Sequence, residues 1–307
     1  MSTYEVALNG VQKSFETFRF GPIDLTVEPG VVTAIVGPNG SGKTTLFQML
    51  MNVMQPDGGA IRLFGLDYGS SEVEIKRKIG YVADTSYVEE KVGLIRDAAA
   101  FHSHWFPTWS ETKWADLCDK FELNPQAKIK TLSKGMKRRL AFCLAIAQSP
   151  DLLILDEPSS GLDPYIWRFM LNELRDFMTS GEKTVLIATH TIEEVRRSAD
   201  YVAFMYDGRL LDYKEKDALQ DEWKALWIET PHTDAWKLPG VVESEEGALT
   251  RLISREASVT EGALRAAGIP VVKRQTVELD EILHHMIAEA KRSGGRAAAI
   301  EKGEETK

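Results

Sequence analysis

The sequence predicts an α/β fold with a largely parallel sheet, and three observations carry that expectation. Strand-sized apolar runs alternate with helix-patterned segments between Val31 and Tyr206. Leu152-Leu153-Ile154-Leu155 is a continuous apolar run, as expected of a central parallel strand covered on both faces. Val31-Val32-Thr33-Ala34-Ile35-Val36 reads as another buried strand. It enters a glycine-rich loop and then a helix, on which Leu46, Met49 and Leu50 fall at helical spacing.

That loop is Gly37-Pro38-Asn39-Gly40-Ser41-Gly42-Lys43-Thr44, followed directly by Thr45, and it fits the phosphate-binding pattern G-x-x-x-x-G-K-[ST]. Its three glycines permit a backbone whose N–H groups turn inward as a nest for phosphate oxygens. A helix starting near Lys43 adds the positive end of its dipole. The Lys43 ammonium suits β- and γ-phosphates, and the Thr44 hydroxyl suits Mg²⁺. The plainer reading is a chance glycine-rich turn, and the strand–loop–helix setting weighs against it. On this stretch alone the chain binds a nucleoside triphosphate.

Composition narrows the partners. A length of 307 residues suggests one large domain or two modest ones, and 43% hydrophobic residues are ample for a core. A formal charge of -9 argues against nucleic acid and against direct docking on anionic lipid. Cys118 and Cys143 suggest neither a disulfide framework nor a metal site, and are expected to be reduced and structural. The N-terminus lacks the pattern of a signal peptide, and no apolar run approaches the roughly 20 residues that span a bilayer. If the protein works at a membrane, another chain supplies the spanning part.

Taken in order, Tyr4–Leu8, Ile23–Val27 and Val31–Val36 read as strands, with Phe15, Phe18 and Phe20 in linking segments. After the loop helix come strand Ala60–Phe64, a turn at Asp67–Ser71, helix Glu72–Lys78 and strand Ile79–Val82. From Asp84 to about Gln126 the pattern turns to aromatic-rich helix, with His102, His104, Trp105, Phe106, Trp109 and Trp114 close together. Two histidines at i, i+2 do not share a helix face, so a metal reading is poor. Either this is a subdomain with its own core or it is an aromatic surface patch for a partner. Lys134–Gln148 is a strong helix with Lys137, Arg138 and Arg139 early, followed by the Leu152–Leu155 strand, helix Pro164–Thr179, strand Thr184–Ala188, helix Ile192–Ser198 and strand Tyr201–Tyr206. Beyond Tyr213 short strands and two helices suggest an α+β appendage without recognisable chemistry, in which His284 and His285 default to surface residues.

A nucleotide hydrolase needs a carboxylate for the metal, a base for water and a sensor for the γ-phosphate. Asp156 stands at the end of a buried strand, where α/β sheets put their ligands. Glu157 follows, suited to polarise the attacking water, and His190 ends the next strand. The most specific signal is Leu132-Ser133-Lys134-Gly135-Met136, just ahead of the helix that precedes the Asp156 strand.

With these motifs in this order, residues 4–212 resemble the ATP-binding subunit of ABC transporters, whose signature is LSGGQ. The resemblance implies a P-loop NTPase of ABC type: a RecA-like mixed sheet core with an antiparallel β subdomain and a helical subdomain at about 85–150. Domain boundaries are then expected at 1–212 for the ATPase, 213–291 for a C-terminal α+β accessory domain and 292–307 for a flexible tail. The resemblance also makes Ser160-Gly161-Leu162-Asp163 the D-loop, His190 the switch histidine and Phe15 the adenine-stacking aromatic. It implies that two such chains pair head to tail, each ATP lying between one chain's loop and the partner's signature, there met by Ser133 and Gly135.

Two motifs depart from the family pattern. Lys134 and Met136 replace the signature's Gly and Gln, and Lys134 either adds a cation near the partner's phosphates or points to solvent. Asp84 stands where the Q-loop glutamine belongs, and a carboxylate there can ligate Mg²⁺. Both departures, and the segment Thr276-Val277-Glu278-Leu279-Asp280-Glu281-Ile282-Leu283, resemble bacterial exporters of the antibiotic-resistance type.

The expected function is therefore an ATP-hydrolysing subunit, with ATP and Mg²⁺ as cofactors. It would work as a homodimer, or as a heterodimer with a similar ATPase, on the inner face of the cell membrane through a separate transmembrane permease. The competing class is a soluble ABC ATPase acting on nucleic acid or ribosomes. Such relatives usually carry tandem ATPase units, long coiled coils or zinc modules, and none is visible in this sequence. A regulator without catalysis is a third reading, opposed by the retained Lys43, Asp156, Glu157 and His190.

Overall fold

The computed structural model describes residues 4–84, 93–229 and 234–304, with side chains described as far as residue 292. The chain divides into two units, Met1–Tyr213 and Lys214–Lys307. In the first, β1 (Val6–Ser14) and β2 (Arg19–Val27) form an antiparallel hairpin that runs from Val6 opposite Val27 to Ser14 opposite Arg19. Both strands outrun the apolar stretches seen in the sequence. Their register shifts between Leu8 and Val11 and again before Lys13, so the two-residue alternation slips and hides half of each strand. Phe20, expected in a linker, is a buried residue of β2.

β3 (Val32–Val36) feeds the glycine-rich loop and α1 (Lys43–Leu50), and β4 (Gly58–Leu63) returns to pair with β1, giving the order β2-β1-β4. α2 (Tyr68–Arg77) begins inside the expected turn, because the Asp67 carboxylate caps it by accepting from Ser70 N at 3.1 Å. β5 (Ile79–Val82) follows. Then come α3 (Ile95–Trp105), α4 (Glu111–Lys120) and α5 (Lys134–Ala147), the helices of the expected subdomain, whose opening residues 85–92 lie outside the described residues. The unit closes with β6 (Leu152–Asp156), α6 (Pro164–Met178), β7 (Thr184–Thr189), α7 (Ile192–Ser198), β8 (Tyr201–Tyr206) and β9 (Arg209–Glu215), whose last residues cross into the second unit.

The main sheet has the order β5-β6-β7-β3-β8-β9, and β5, β6, β7, β3 and β8 pair in parallel. Every residue of β3, β6 and β7 is buried, which is why their sequences are continuous apolar runs. Alternate residues face opposite layers. Leu153, Leu155, Val185 and Ile187 join the core made with the helical segment, whereas Leu152, Ile154 and Leu186 join α1 and the antiparallel sheet.

The aromatic stretch divides between a buried set and an exposed set. Trp114, Leu117 and Phe121 are buried with Phe142 of α5, the Phe121 and Phe142 rings meeting edge to face at 5.9 Å. Burying a ring such as Phe142 stabilises by about 2–3 kcal/mol, so α4 and α5 are held together mainly by this contact layer. Glu173 of α6, only 4% exposed, is clamped by Lys113 at 2.6 Å and Lys120 at 2.7 Å, which fastens α4 to α6. Phe101 and Trp105, by contrast, are 55% and 53% exposed on α3.

Glu5, at the mouth of β1, is half-buried, and burial together with the Asp151 carboxylate raises its pKa from 4.5 to about 7, against the opposing Lys78 and Lys183. The folded chain thus binds this proton more tightly than the unfolded chain. Its contribution to stability therefore falls as pH rises from about 4.5 through about 7. Glu5→Gln is expected to raise the melting temperature at about pH 8 and to flatten that decline, as read from thermal unfolding across pH. A variant whose stability tracks the wild type at every pH would contradict this.

The second unit contains α8 (Lys216–Glu222), β10 (Lys224–Glu229), β11 (Val241–Glu245), β12 (Leu249–Ser254), α9 (Ala257–Ala266), β13 (Val271–Thr276) and α10 (Leu279–Glu304). Its antiparallel sheet has the order β11-β12-β10-β13, with Leu226, Ile228, Leu252 and Leu264 as a core. Arg251 grips Glu281 of α10 with two hydrogen bonds, at 2.8 and 3.0 Å. Two expectations change here. His285 is buried against the Trp223 ring rather than exposed, and burial lowers its pKa. α10 also continues to Glu304 through most of the stretch read as a flexible tail; residues 305–307 lie outside the described residues. Each glycine of Gly294-Gly295 costs a helix only about 1 kcal/mol, and Ala297-Ala298-Ala299 are strong helix formers.

Candidate functional site

Parallel strands set their C-terminal ends along one edge, and that edge gathers most of the residues singled out above. β3 delivers the loop, β5 delivers Asp84, β6 delivers Asp156 and Glu157, and β7 delivers His190. The loop's glycines are dictated by space. A Cβ on Gly37 would lie 2.1 Å from the Met205 carbonyl oxygen. Gly42 caps α1 with φ 105°, a conformation that disfavours side chains, and faces the Phe20 ring.

Lys43 is 5% exposed and fully engaged. Its Nζ donates to the carbonyl oxygens of Gly37 at 2.8 Å and Pro38 at 3.3 Å, and stands 3.4 Å from Glu157 Oε1. The other oxygen of Glu157 accepts from His190 Nδ1 at 2.7 Å. One carboxylate is thus stretched between the loop lysine and the β7 histidine. Glu157 also adopts φ 48°, a costly conformation for a non-glycine residue. Its backbone is pinned there, the N–H donating to Ala188 O at 2.8 Å.

Asp156 is 1% exposed, and neither carboxylate oxygen has a hydrogen bond of good geometry among the described residues. Burial raises its pKa to about 6; the nearby Thr44 hydroxyl opposes this, the Asp84 and Glu157 carboxylates add to it, and Lys43 opposes it. A buried carboxylate with idle oxygens beside a hydroxyl suits a hard divalent cation, which would satisfy both.

A cavity of about 450 Å³ lies over the loop, lined by residues 39–45, Phe18, Asp84 and Glu157. Phe18 was missed by the sequence reading, where it stood only as one of three phenylalanines in a linker. Phe15, the residue expected to stack on a base, lies outside that lining. It is partly exposed, with its ring centroid 5.9 Å from that of Phe18. Two further residues were missed. Buried Glu194 of α7 accepts from the Ser159 hydroxyl, and buried Arg138 of α5 reaches Asp84 and Glu157. In the sequence Arg138 stands between Lys137 and Arg139, so nothing local set it apart from its basic neighbours.

Ser133, Gly135 and Asp163 do not line the cavity. Ser133 caps α5 by accepting from Met136 N at 3.2 Å, and Asp163 caps α6 by accepting from Tyr165 N at 2.8 Å. Gly135 lies close to the Gly161 carbonyl, so the signature and D-loop segments adjoin within one chain.

A phosphate-binding loop at the edge of this sheet, with acidic strand ends facing it, defines an ATP-binding ATPase. Comparisons with known proteins agree. The family described as ABC transporter matches residues 20–160. Nod factor export ATP-binding protein I of Burkholderia orbicola (strain AU 1054) is 32% identical over 215 residues, covering 68% of this chain and 70% of that protein. Daunorubicin/doxorubicin resistance ATP-binding protein DrrA of Streptomyces peucetius is 35% identical over 214 residues, covering 68% of this chain and 64% of that protein. Among solved structures, cbiO1 from Clostridium perfringens, part of the ABC transporter complex cbiONQ, is 25% identical with a TM-score of 0.60, covering 72% of this chain and 92% of that one. The chain belongs to the ABC transporter family and is an ATPase of it.

Proposed function

We propose that this ATPase powers export by a separate membrane-spanning permease, working as a pair of like chains that close head to tail around ATP. The observation that carries the catalytic part is the Lys43–Glu157–His190 chain beside the buried, unsatisfied Asp156. Lys43 would meet the β- and γ-phosphates, and Glu157 would take a proton from the attacking water while His190 orients its carboxylate. Thr44 and Asp156 would hold Mg²⁺, with Asp84 within reach of the same cavity. When bound, Mg²⁺ would neutralise charge building on the phosphate oxygens. Phe15 and Phe18 together would offer the adenine an aromatic wall.

Pairing is supported by what the cavity leaves out. Ser133, Gly135 and Asp163 sit at helix starts away from the chain's own loop, suited to complete the site of a second copy. No helix among the described residues is long and apolar enough to cross a membrane, which supports a division of labour with another chain. The exposed Phe101 and Trp105 of α3 would receive a helix of that permease. The export reading is supported by the names of the relatives, an export protein and a drug-resistance protein.

The test is isolation of the chain from its native membranes, followed by phosphate-release measurements. ATP hydrolysis together with recovery of a multi-span membrane protein is the expected result. Recovery with ribosomes or DNA and no integral membrane protein would overturn the transport reading.

A further inference from the structure

We propose that Arg138 is a positioning residue for hydrolysis and that the Asp84 carboxylate is shared between Arg138 and the metal of the ATP site. This rests on the reading of the site as one that hydrolyses Mg²⁺–ATP. Arg138 is 2% exposed, and a guanidinium taken that far from water is expensive unless every edge of its fork is used. The fork is used across two strand ends. Nη1 donates to the Glu157 carbonyl oxygen, while Nη2 donates to the Asp84 carbonyl oxygen and, at 2.9 Å, to Asp84 Oδ1.

Two consequences follow from this geometry. The first concerns Glu157, whose peptide is held at φ 48° by two anchors, its own N–H on Ala188 and its carbonyl on Arg138. Loss of the second anchor lets that peptide relax toward an ordinary conformation, and the carboxylate leaves its place between Lys43 and His190. The second concerns Asp84, which lines the cavity beside Thr44 yet gives one oxygen to Arg138. A divalent cation held by Thr44 and Asp156 carries twice the charge of the guanidinium and competes for that carboxylate. Arg138 lies on the helix capped by Ser133, about one turn beyond it. A change in what holds Asp84 is therefore felt by the helix whose first turn would face the partner's ATP.

The experiment compares full-length wild type with Arg138→Gln, Arg138→Lys and Asp84→Asn. Phosphate release gives kcat and KM, and electron paramagnetic resonance titration with Mn²⁺ in the presence of adenylyl-imidodiphosphate gives metal affinity without turnover. Arg138→Gln is expected to lower kcat roughly tenfold with KM changed less than about twofold, and to bind Mn²⁺ several-fold more tightly because Asp84 is released. Arg138→Lys should not restore kcat, since a compact ammonium lacks the spread of the Nη1–Nη2 fork, which holds the Glu157 carbonyl with one nitrogen and Asp84 with the other. Asp84→Asn should weaken Mn²⁺ binding several-fold, and it probes the sharing even if Arg138→Gln fails to fold. Unchanged Mn²⁺ affinity in Asp84→Asn overturns the shared carboxylate. Wild-type kcat in Arg138→Gln or Arg138→Lys overturns the positioning role. A wild-type chain that releases no phosphate overturns the catalytic reading itself, and this proposal with it.

Discussion

Glu157→Gln is expected to leave ATP binding within a few-fold of wild type and to lower turnover by at least about a hundredfold, the usual range for removing a general base. The substitution keeps size and shape, and the backbone anchors of Glu157 on Ala188 and Arg138 do not involve its side chain. What is lost is the basic carboxylate between Lys43 and His190. The phosphate-binding groups of the loop are untouched, so nucleotide affinity survives. If two chains close around ATP, the variant should also accumulate as an ATP-held dimer, measured as a doubling of mass by light scattering on adding ATP. Normal turnover would remove Glu157 from its role, and a monomer at saturating ATP would count against pairing.

Lys43→Met is expected to weaken ATP binding roughly a hundredfold or more, because the ammonium is the one side-chain cation among the residues lining the cavity or flanking the loop and charged hydrogen bonds of this kind are worth about 1.5–3 kcal/mol each. Methionine fills a similar volume in a position only 5% exposed, and Glu157 keeps its bond to His190. The variant should therefore fold, which circular dichroism melting would verify. Titration with a fluorescent ATP analogue measures the loss. Wild-type affinity would mean that this loop is not the phosphate cradle.

Much of the parallel sheet was legible because β3, β6 and β7 are buried on both faces and so leave unbroken apolar runs. The hairpin was half hidden because register shifts at Val11 break the two-residue alternation. Phe18 and Phe20 illustrate the limit. They stand two residues apart in sequence, yet Phe20 is fully buried within β2, whereas Phe18, just ahead of the strand, packs partly buried against the same core and walls the cavity. His285 and the end of α10 were misread for a related reason, since burial against Trp223 and helix continuation through two glycines depend on neighbours far along the chain or on weak local terms.

The sequence by itself determined the nucleotide loop, the acidic strand end Asp156-Glu157 and the order of motifs, because glycine spacing and unbroken apolar runs are local demands of backbone geometry and burial. The tertiary structure decided which of those residues act on one another. Asp84 and Arg138 are far apart in sequence, and so are Glu157 and His190; the second pair meets because the parallel strands β6 and β7 end on one edge, and the first because α5 carries Arg138 to the strand end that bears Asp84. Charge pairing across such distances leaves no periodic trace in the chain, and it is what turns a phosphate loop into a site that can respond to what it binds.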